Sequence, residues 1–219
     1  MAKKIGVCLS GCGVQDGSEI HEAVTLLLAI DKMNAEYICC APEGTQGRVI
    51  NHATGKSVSE KRDIFVESAR IARGNIRKIT DMKVEDIDGL IFPGGFGAAL
   101  NLCTFGLEGE KCSVREDVKN FIEAMHRAKK PIGAICIAPA LIAKVLGKTG
   151  VEVTIGNDKE TARKIEALGA KHINCAADGI VVDKKNKVVT TPAYMLADRI
   201  SQVSKGIETL VAKILELAN

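Results

Sequence analysis

The residues best placed to do chemistry lie in the stretch 130–146, KPIGAICIAPALIAKVL. An uncharged run from Ile132 to Ile137 reads as a strand covered on both faces, and Pro139 suits the first turn of a following helix. Cys136 falls on the turn between them. A side chain on such an elbow is lifted out of the sheet and faces backbone N–H groups that have no other partner. Ala134 and Ala138, two residues to either side, leave room for so tight a bend. This is the setting of a thiol nucleophile; a buried cysteine that only fills space is the competing account of the same residue.

A cysteine nucleophile needs help to ionise. Histidine is the usual helper, but Ile137 follows Cys136 and no histidine adjoins it. An acid from the first helix is the other candidate. Glu19 and Glu22 lie one turn apart near that helix's start. Glu19 can close a capping box with Asp16, whereas Glu22 has no such structural task. Buried, Glu22 would have a raised pKa, could donate a hydrogen bond to a thiolate and later carry a proton. On a solvated helix face it would do none of this. The Pro93-Gly94-Gly95-Phe96-Gly97 run offers backbone unobstructed by side chains, and the amides of Gly94, Gly95 and Ile137 are candidate donors to an oxyanion.

The elements that would bring these residues together form an alternating α/β pattern. Strands are expected at Lys3–Leu9, Glu36–Ala41, Asp88–Phe92 and Ile132–Ile135. Helices are expected at Gly17–Met33, Glu60–Arg73 and from Pro139, with a last one after Thr191-Pro192. The first helix reads with Ile20, Ala23, Val24, Leu27 and Ile30 as its buried stripe and Asn34 as a left-handed cap. Ser113 and Glu116 suggest a second capping box, before a helix with Val114, Val118, Phe121, Ile122 and Met125 on one face. Residues 42–59 read as loops or a short hairpin, and Asp183–Asn186 as a turn between two short strands. Strand–helix–strand order predicts a mostly parallel sheet with right-handed crossovers. In such sheets ligands sit at the carboxyl ends of the strands. Four loops leave those ends, 10–17, 93–97, 136–138 and 191–193, and should meet in one crevice. Cys12 could line it or be a packed loop residue. His21 could enter it or rest on the helix surface, and Asn101 could orient a substrate or cap its own turn.

Composition narrows the function classes. The chain has 219 residues, 46% hydrophobic and 26% charged, with a formal net charge of +3. That charge is too small to argue for nucleic acid or an anionic membrane surface. Two Tyr, five Phe and no Trp make stacking platforms for single strands improbable. No apolar run reaches a transmembrane length. The eight cysteines show no C-x-x-C pair or zinc spacing, and the four histidines no ligand spacing, so no metal is expected. The N-terminus, MAKKIGVCLSGCG, has neither a signal peptide's apolar core nor a transit peptide's pattern, and with thiols expected to be reduced it suggests a cytoplasmic protein.

Four motifs closely resemble one family: GAICIAPA at 133–140, FPGGFGAALNL at 92–102, SGCGVQDGSEIHEA at 10–23 and VVTTPAYM at 188–195. The family is ElbB, "enhancing lycopene biosynthesis protein 2", with the vertebrate mitochondrial ES-one proteins as relatives. It lies within the PfpI superfamily, which also holds the parkinsonism-associated deglycase and class I glutamine amidotransferase domains. The resemblance covers essentially the whole chain. It implies one class I glutamine amidotransferase-like domain over 1–219, folded as a flavodoxin-like three-layer α/β sandwich. It implies Cys136 as nucleophile, Glu22 as its acid (Glu19 if the match slips by one turn), and Gly95 with Ile137 as the oxyanion hole. The implied activity is a glyoxalase needing neither glutathione nor metal, acting on a small reactive dicarbonyl, and a homodimer is the implied assembly. A cysteine-based redox sensor or chaperone-like protein, or a small-molecule hydrolase, remains open. Two departures matter. The superfamily's proteases carry histidine where Ile137 stands, and its amidotransferases carry a late His and Glu where Thr191-Pro192-Ala193 stands.

Overall fold

The computed structural model describes residues 2–219. In chain order its elements are β1 (Lys4–Cys8), α1 (Ile20–Lys32), β2 (Glu36–Ala41), β3 (Ile50–Asn51), β4 (Lys56–Ser57), α2 (Ile64–Ile71), β5 (Ile76–Lys78) and β6 (Gly89–Phe92). There follow α3 (Phe96–Leu100), α4 (Phe105–Glu108), α5 (Glu116–Arg127), β7 (Ile132–Ile135) and α6 (Pro139–Leu146). The chain closes with β8 (Glu152–Val153), α7 (Lys159–Ala167), β9 (Lys171–His172), β10 (Val181–Asp183), β11 (Val188–Thr191) and α8 (Ile200–Leu217).

Seven strands make the central sheet in the order β10-β11-β7-β6-β1-β2-β5. All neighbours are parallel except β10 and β11, which form an antiparallel edge. The strands therefore divide their side chains between two cores by strict alternation. Ile5, Val7, Ile91 and Ile135 face α1 and α8, whereas Cys8, Leu90, Phe92, Ile132 and Ala134 face α5 and α6. The result is a mixed α/β, three-layer sandwich with a mostly parallel sheet, consistent with a flavodoxin-like, amidotransferase-like fold.

Several local expectations need correcting. Residues 11–18 close a loop of their own, with the Gly17 N–H donating to the Gly13 carbonyl at 2.7 Å. That delays α1, so its N-cap is Glu19 and not Asp16. Asp16 turns inward instead and accepts from the Ile50 N–H at 2.7 Å, pinning the β3–β4 hairpin. The buried face of α1 is Glu22, Ala23, Leu26, Ala29 and Ile30; Ile20 and Val24 are exposed at 43% and 49%. The second capping box does not form either. Ser113 pairs with Thr104 through its backbone, and α5 begins after Arg115 with no side-chain cap. The apolar face of α5 is otherwise as read, with Val118, Phe121, Ile122 and Met125 buried.

Candidate active site

The site is assembled from four chain segments leaving the carboxyl ends of β1, β6, β7 and β11. At the end of β7, Cys136 adopts φ 61, a left-handed conformation that a residue with a side chain adopts only when its surroundings hold it there. What holds it is on both sides. Its N–H donates to the Thr191 carbonyl at 2.9 Å, and Ala138 closes the bend onto Ile135 at 3.0 Å before Pro139 starts α6. Cys136 is buried, with 8% of its surface exposed.

β6 delivers the glycines. Gly94 lies against Cys136 and Glu22 so closely that a Cβ there would overlap both the Cys136 Cβ and a Glu22 carboxyl oxygen. Gly95, at φ 91, is the N-cap of α3, and a Cβ on it would run into the backbone of Gly17 and Glu19. The Gly94 carbonyl accepts from the Glu19 N–H at 2.9 Å, locking this loop to the start of α1. Five-residue α3 was not foreseen from sequence; a helix so short, with glycine in it, carries no readable period.

α1 delivers the acid. Glu22 is fully buried. Its Oε2 accepts from the Gly94 N–H at 2.9 Å and its Oε1 from the Tyr194 N–H at 3.3 Å. The carboxyl group lies beside the Cys136 side chain, close enough for the two groups to affect each other's ionisation. Burial first, and the nearby Glu19 carboxyl second, push Glu22 up to about 8, against which the Tyr194, Cys136 and Gly94 contacts pull down. Glu19 itself caps α1 through Oε2, which accepts from the Glu22 N–H at 2.7 Å.

The Gly95 and Ile137 amides, which have no other hydrogen-bond partner among the described residues, lie near the sulfur and favour charge on it. These do not make it a resting thiolate. Burial, followed by the Glu22 charge, holds the Cys136 thiol well above its ordinary range, and the two amides only partly oppose this. Acid and thiol are therefore both proton-rich near neutrality and must ionise as a unit. One negative charge can then be shared between sulfur and carboxyl, with the remaining proton between them and amide donors at both ends.

Of the other sequence candidates, Gly94 lies in the site, but its N–H is spent on Glu22 and is not a free oxyanion donor. Asn101 is a strut: it donates to the Ser10 and Asp16 carbonyls, both at 2.8 Å, and accepts from the Gly47 N–H at 2.9 Å. Cys12 borders a groove between α1 and α2, beside Ile20, Val24 and Arg70, which Cys136 does not line. His21 is exposed and its Nδ1 lies 2.8 Å from the Tyr194 hydroxyl. Tyr194 was not singled out from sequence, although it is in the TTPAYM motif one residue past the loop that was. Its hydroxyl is pushed up by burial first and then by Glu19 and Glu22, so it stands at the edge of the same site. Among the described residues no group of three or more His, Cys, Asp or Glu side chains could hold a metal ion.

Comparison with known proteins places this geometry. No protein-family model matches the chain. "ES1 protein homolog, mitochondrial" from Rattus norvegicus is 46% identical over 224 residues, covering 98% of this chain and 84% of the relative. "Glutamine amidotransferase-like class 1 domain-containing protein 3, mitochondrial" from Homo sapiens is 46% identical over 226 residues, covering 99% and 84%. Among solved structures, an isoprenoid biosynthesis protein with an amidotransferase-like domain from Ehrlichia chaffeensis aligns with TM-score 0.90 and 37% identity over 97% of this chain and 99% of that one. A ThiJ/PfpI domain protein from Brachyspira murdochii, with TM-score 0.60 and 14% identity over 98% and 97%, shares the fold. The rat and human relatives are both named as mitochondrial, which overturns the cytoplasmic expectation. Reduced thiols and an N-terminal strand describe the folded body and carry no address.

Proposed function

From the premise that this chain belongs to the family of ES1 and glutamine amidotransferase-like class 1 domain proteins, within the DJ-1/PfpI group, we propose that it is a cofactor-independent glyoxalase-type enzyme. The observation that carries the reading is the placement of a fully buried Glu22 carboxyl beside the Cys136 side chain, with the Gly95 and Ile137 amides nearby. No histidine takes part, as glutamine or peptide hydrolysis by the superfamily's other branches would require.

In the singly ionised pair, Glu22 takes the thiol proton as the sulfur attacks one aldehyde carbon of glyoxal. An S–C bond forms and the carbonyl π bond becomes an oxyanion, which the Gly95 and Ile137 amides would bind until Glu22 returns the thiol proton to it and is a carboxylate again. The hemithioacetal carbon then loses its hydrogen as a proton to the Glu22 carboxylate, and the neighbouring carbon regains one. This converts a hemithioacetal beside an aldehyde into a thioester beside an alcohol, with no net redox change and no cofactor. Water cleaves the thioester, giving glycolate and the free thiol. Methylglyoxal would give lactate by the same steps.

Purified protein is expected to convert glyoxal to glycolate, and Cys136→Ala to have no rate above background. Equal rates in the two remove Cys136 from the chemistry. The same donors would also stabilise an oxidised sulfur. Selective oxidation of Cys136 by mild peroxide, in protein without turnover on glyoxal or methylglyoxal, favours a redox sensor instead.

A further inference from the structure

β7 and β11 run side by side in register, Ile132 opposite Val188 and Ile135 opposite Thr191. Their carboxyl ends carry Cys136 and the Tyr194 turn. Their amino ends border a second depression, of about 700 Å³, at the opposite edge of the sheet. Arg127, Lys129, Lys148, Lys184, Lys185 and Lys187 line it, and no acidic side chain does.

Two of these cations are engaged. Arg127 reaches Glu123 at 3.7 Å, and the Lys187 ammonium donates to the Leu217 carbonyl at 2.8 Å. Among the described residues, Lys129, Lys148, Lys184 and Lys185 have neither an ion pair nor a side-chain hydrogen bond, although lysines elsewhere in the chain are paired with Glu36, Glu208, Glu43 and Glu160. The C-terminal end of α5 accounts for some of this positive charge, since cations are favoured there. It does not account for three separate segments converging on a groove that no acidic side chain lines. A net charge of +3 over the whole chain makes the local excess the more unusual.

The support beneath these lysines is rigid. Asp183 is buried and accepts from the Asn186 N–H and the Glu152 N–H, both at 2.9 Å, and from Asn186 Nδ2 at 2.7 Å. His126 Nε2 lies 3.1 Å from Asn186 Oδ1, tying the end of α5 to the same turn. The β10–β11 turn thus presents Lys184 and Lys185 from a fixed frame, which lowers the ordering cost of binding. The nearby acids are occupied: Asp183 with these amides and Glu152 with Lys171 at 2.7 Å.

We propose that this groove binds a compact, multiply charged anion, the di- or triphosphate group of a small molecule. The volume is that of a small-ligand site. Several separate ammonium groups suit the dispersed charge of linked phosphates, while a single bidentate arginine would suit one carboxylate. No Phe, Tyr or Trp lines the groove, and its one imidazole, His126, is tied to Asn186, so a nucleobase or a single nucleic acid strand would find no large platform to stack on.

Inorganic triphosphate titrated calorimetrically into the full chain, at low and at physiological ionic strength, tests the site. Saturable binding of one triphosphate per chain is expected. It should weaken at least tenfold in Lys184→Glu/Lys185→Glu and, independently, in Lys148→Glu, which lies on another segment. Lys56→Glu/Lys61→Glu, on the distant β3–β4 side, should leave it unchanged. Melting temperatures identify any variant that fails to fold, and either groove variant alone suffices. Absence of saturable binding, retention of full affinity in a folded groove variant, or an equal loss in the Lys56/Lys61 control overturns the proposal.

Discussion

Two sets of buried thiols occupy the same sheet and have different surroundings. Cys8 and Cys40 stand opposite each other in the β1–β2 pair, both within 1% of complete burial. The hydrogen bond to Cys40 and then burial hold Cys8 well above its ordinary range. Cys136 is almost as buried and its thiol is also held up. The difference is in which groups surround the sulfur. Along β1 and β2 the backbone N–H groups are consumed by the parallel ladder, as with Leu9, whose N–H goes to the Cys40 carbonyl at 2.8 Å. At Cys136 the strand has just ended, so the Gly95 and Ile137 amides are left without a backbone partner near the sulfur, and a carboxyl group stands beside it. Burial alone makes a thiol inert; burial at the end of a strand, with unspent donors, makes a place where negative charge can form.

The sharpest way to break this contrast is Glu22→Gln. It keeps the side chain's shape and its Gly94 contact while removing the proton carrier, so turnover on glyoxal should fall by about 10²- to 10⁴-fold. Its companion is the pH dependence of the wild type. The pair reacts when singly ionised, so kcat/KM should rise with pH towards about 8 and then level off. A flat profile between pH 6 and 9 contradicts the shared-proton description.

Stability should respond to the same group with opposite sign. Glu22 moves from 4.5 to about 8 on folding, so between those values the folded chain holds a proton that the unfolded chain has released. Stability is therefore greatest below about pH 4.5 as far as this group is concerned. It declines as pH rises to about 8, by roughly 1.4 kcal/mol per unit at most. Denaturant titrations should show this slope in the wild type and a flatter one in Glu22→Gln.

Smaller effects follow. Gly94→Ala forces a methyl group into the space between Cys136 and Glu22, and should cost about 1–3 kcal/mol in stability along with most of the activity. On the other side of the comparison, Cys8→Ala should cost about 1 kcal/mol through lost packing and leave turnover as it was. Iodoacetamide applied to native protein should label Cys136 ahead of Cys8 and Cys40, read by peptide mass spectrometry. The reverse order would erase the distinction between the two settings.

Much of this was legible in the chain because it is local. The uncharged run into Cys136 and the proline three residues later match β7 and α6 residue for residue. Asn34 takes the expected left-handed conformation, at φ 54. Legibility failed where two faces of one element competed. α1 carries apolar residues on both sides, and the stripe of Ile20, Val24 and Leu27 looks as good as that of Ala23, Leu26 and Ile30. Only the choice of the second stripe carries Glu22 inward. Asn101, Asp16 and Tyr194 went unread or misread for a related reason, since their partners lie 54, 34 and 172 residues away.

Strand-and-helix order, the elbow cysteine and the paired glycines follow from residue types at short spacing, because bend geometry and two-sided burial act over a few neighbours. The acid's neutrality, the sulfur's reluctance to ionise alone and the gathering of lysines beneath β7 and β11 do not. Each depends on how much water and which charges surround a group, and those are set only when distant segments pack together.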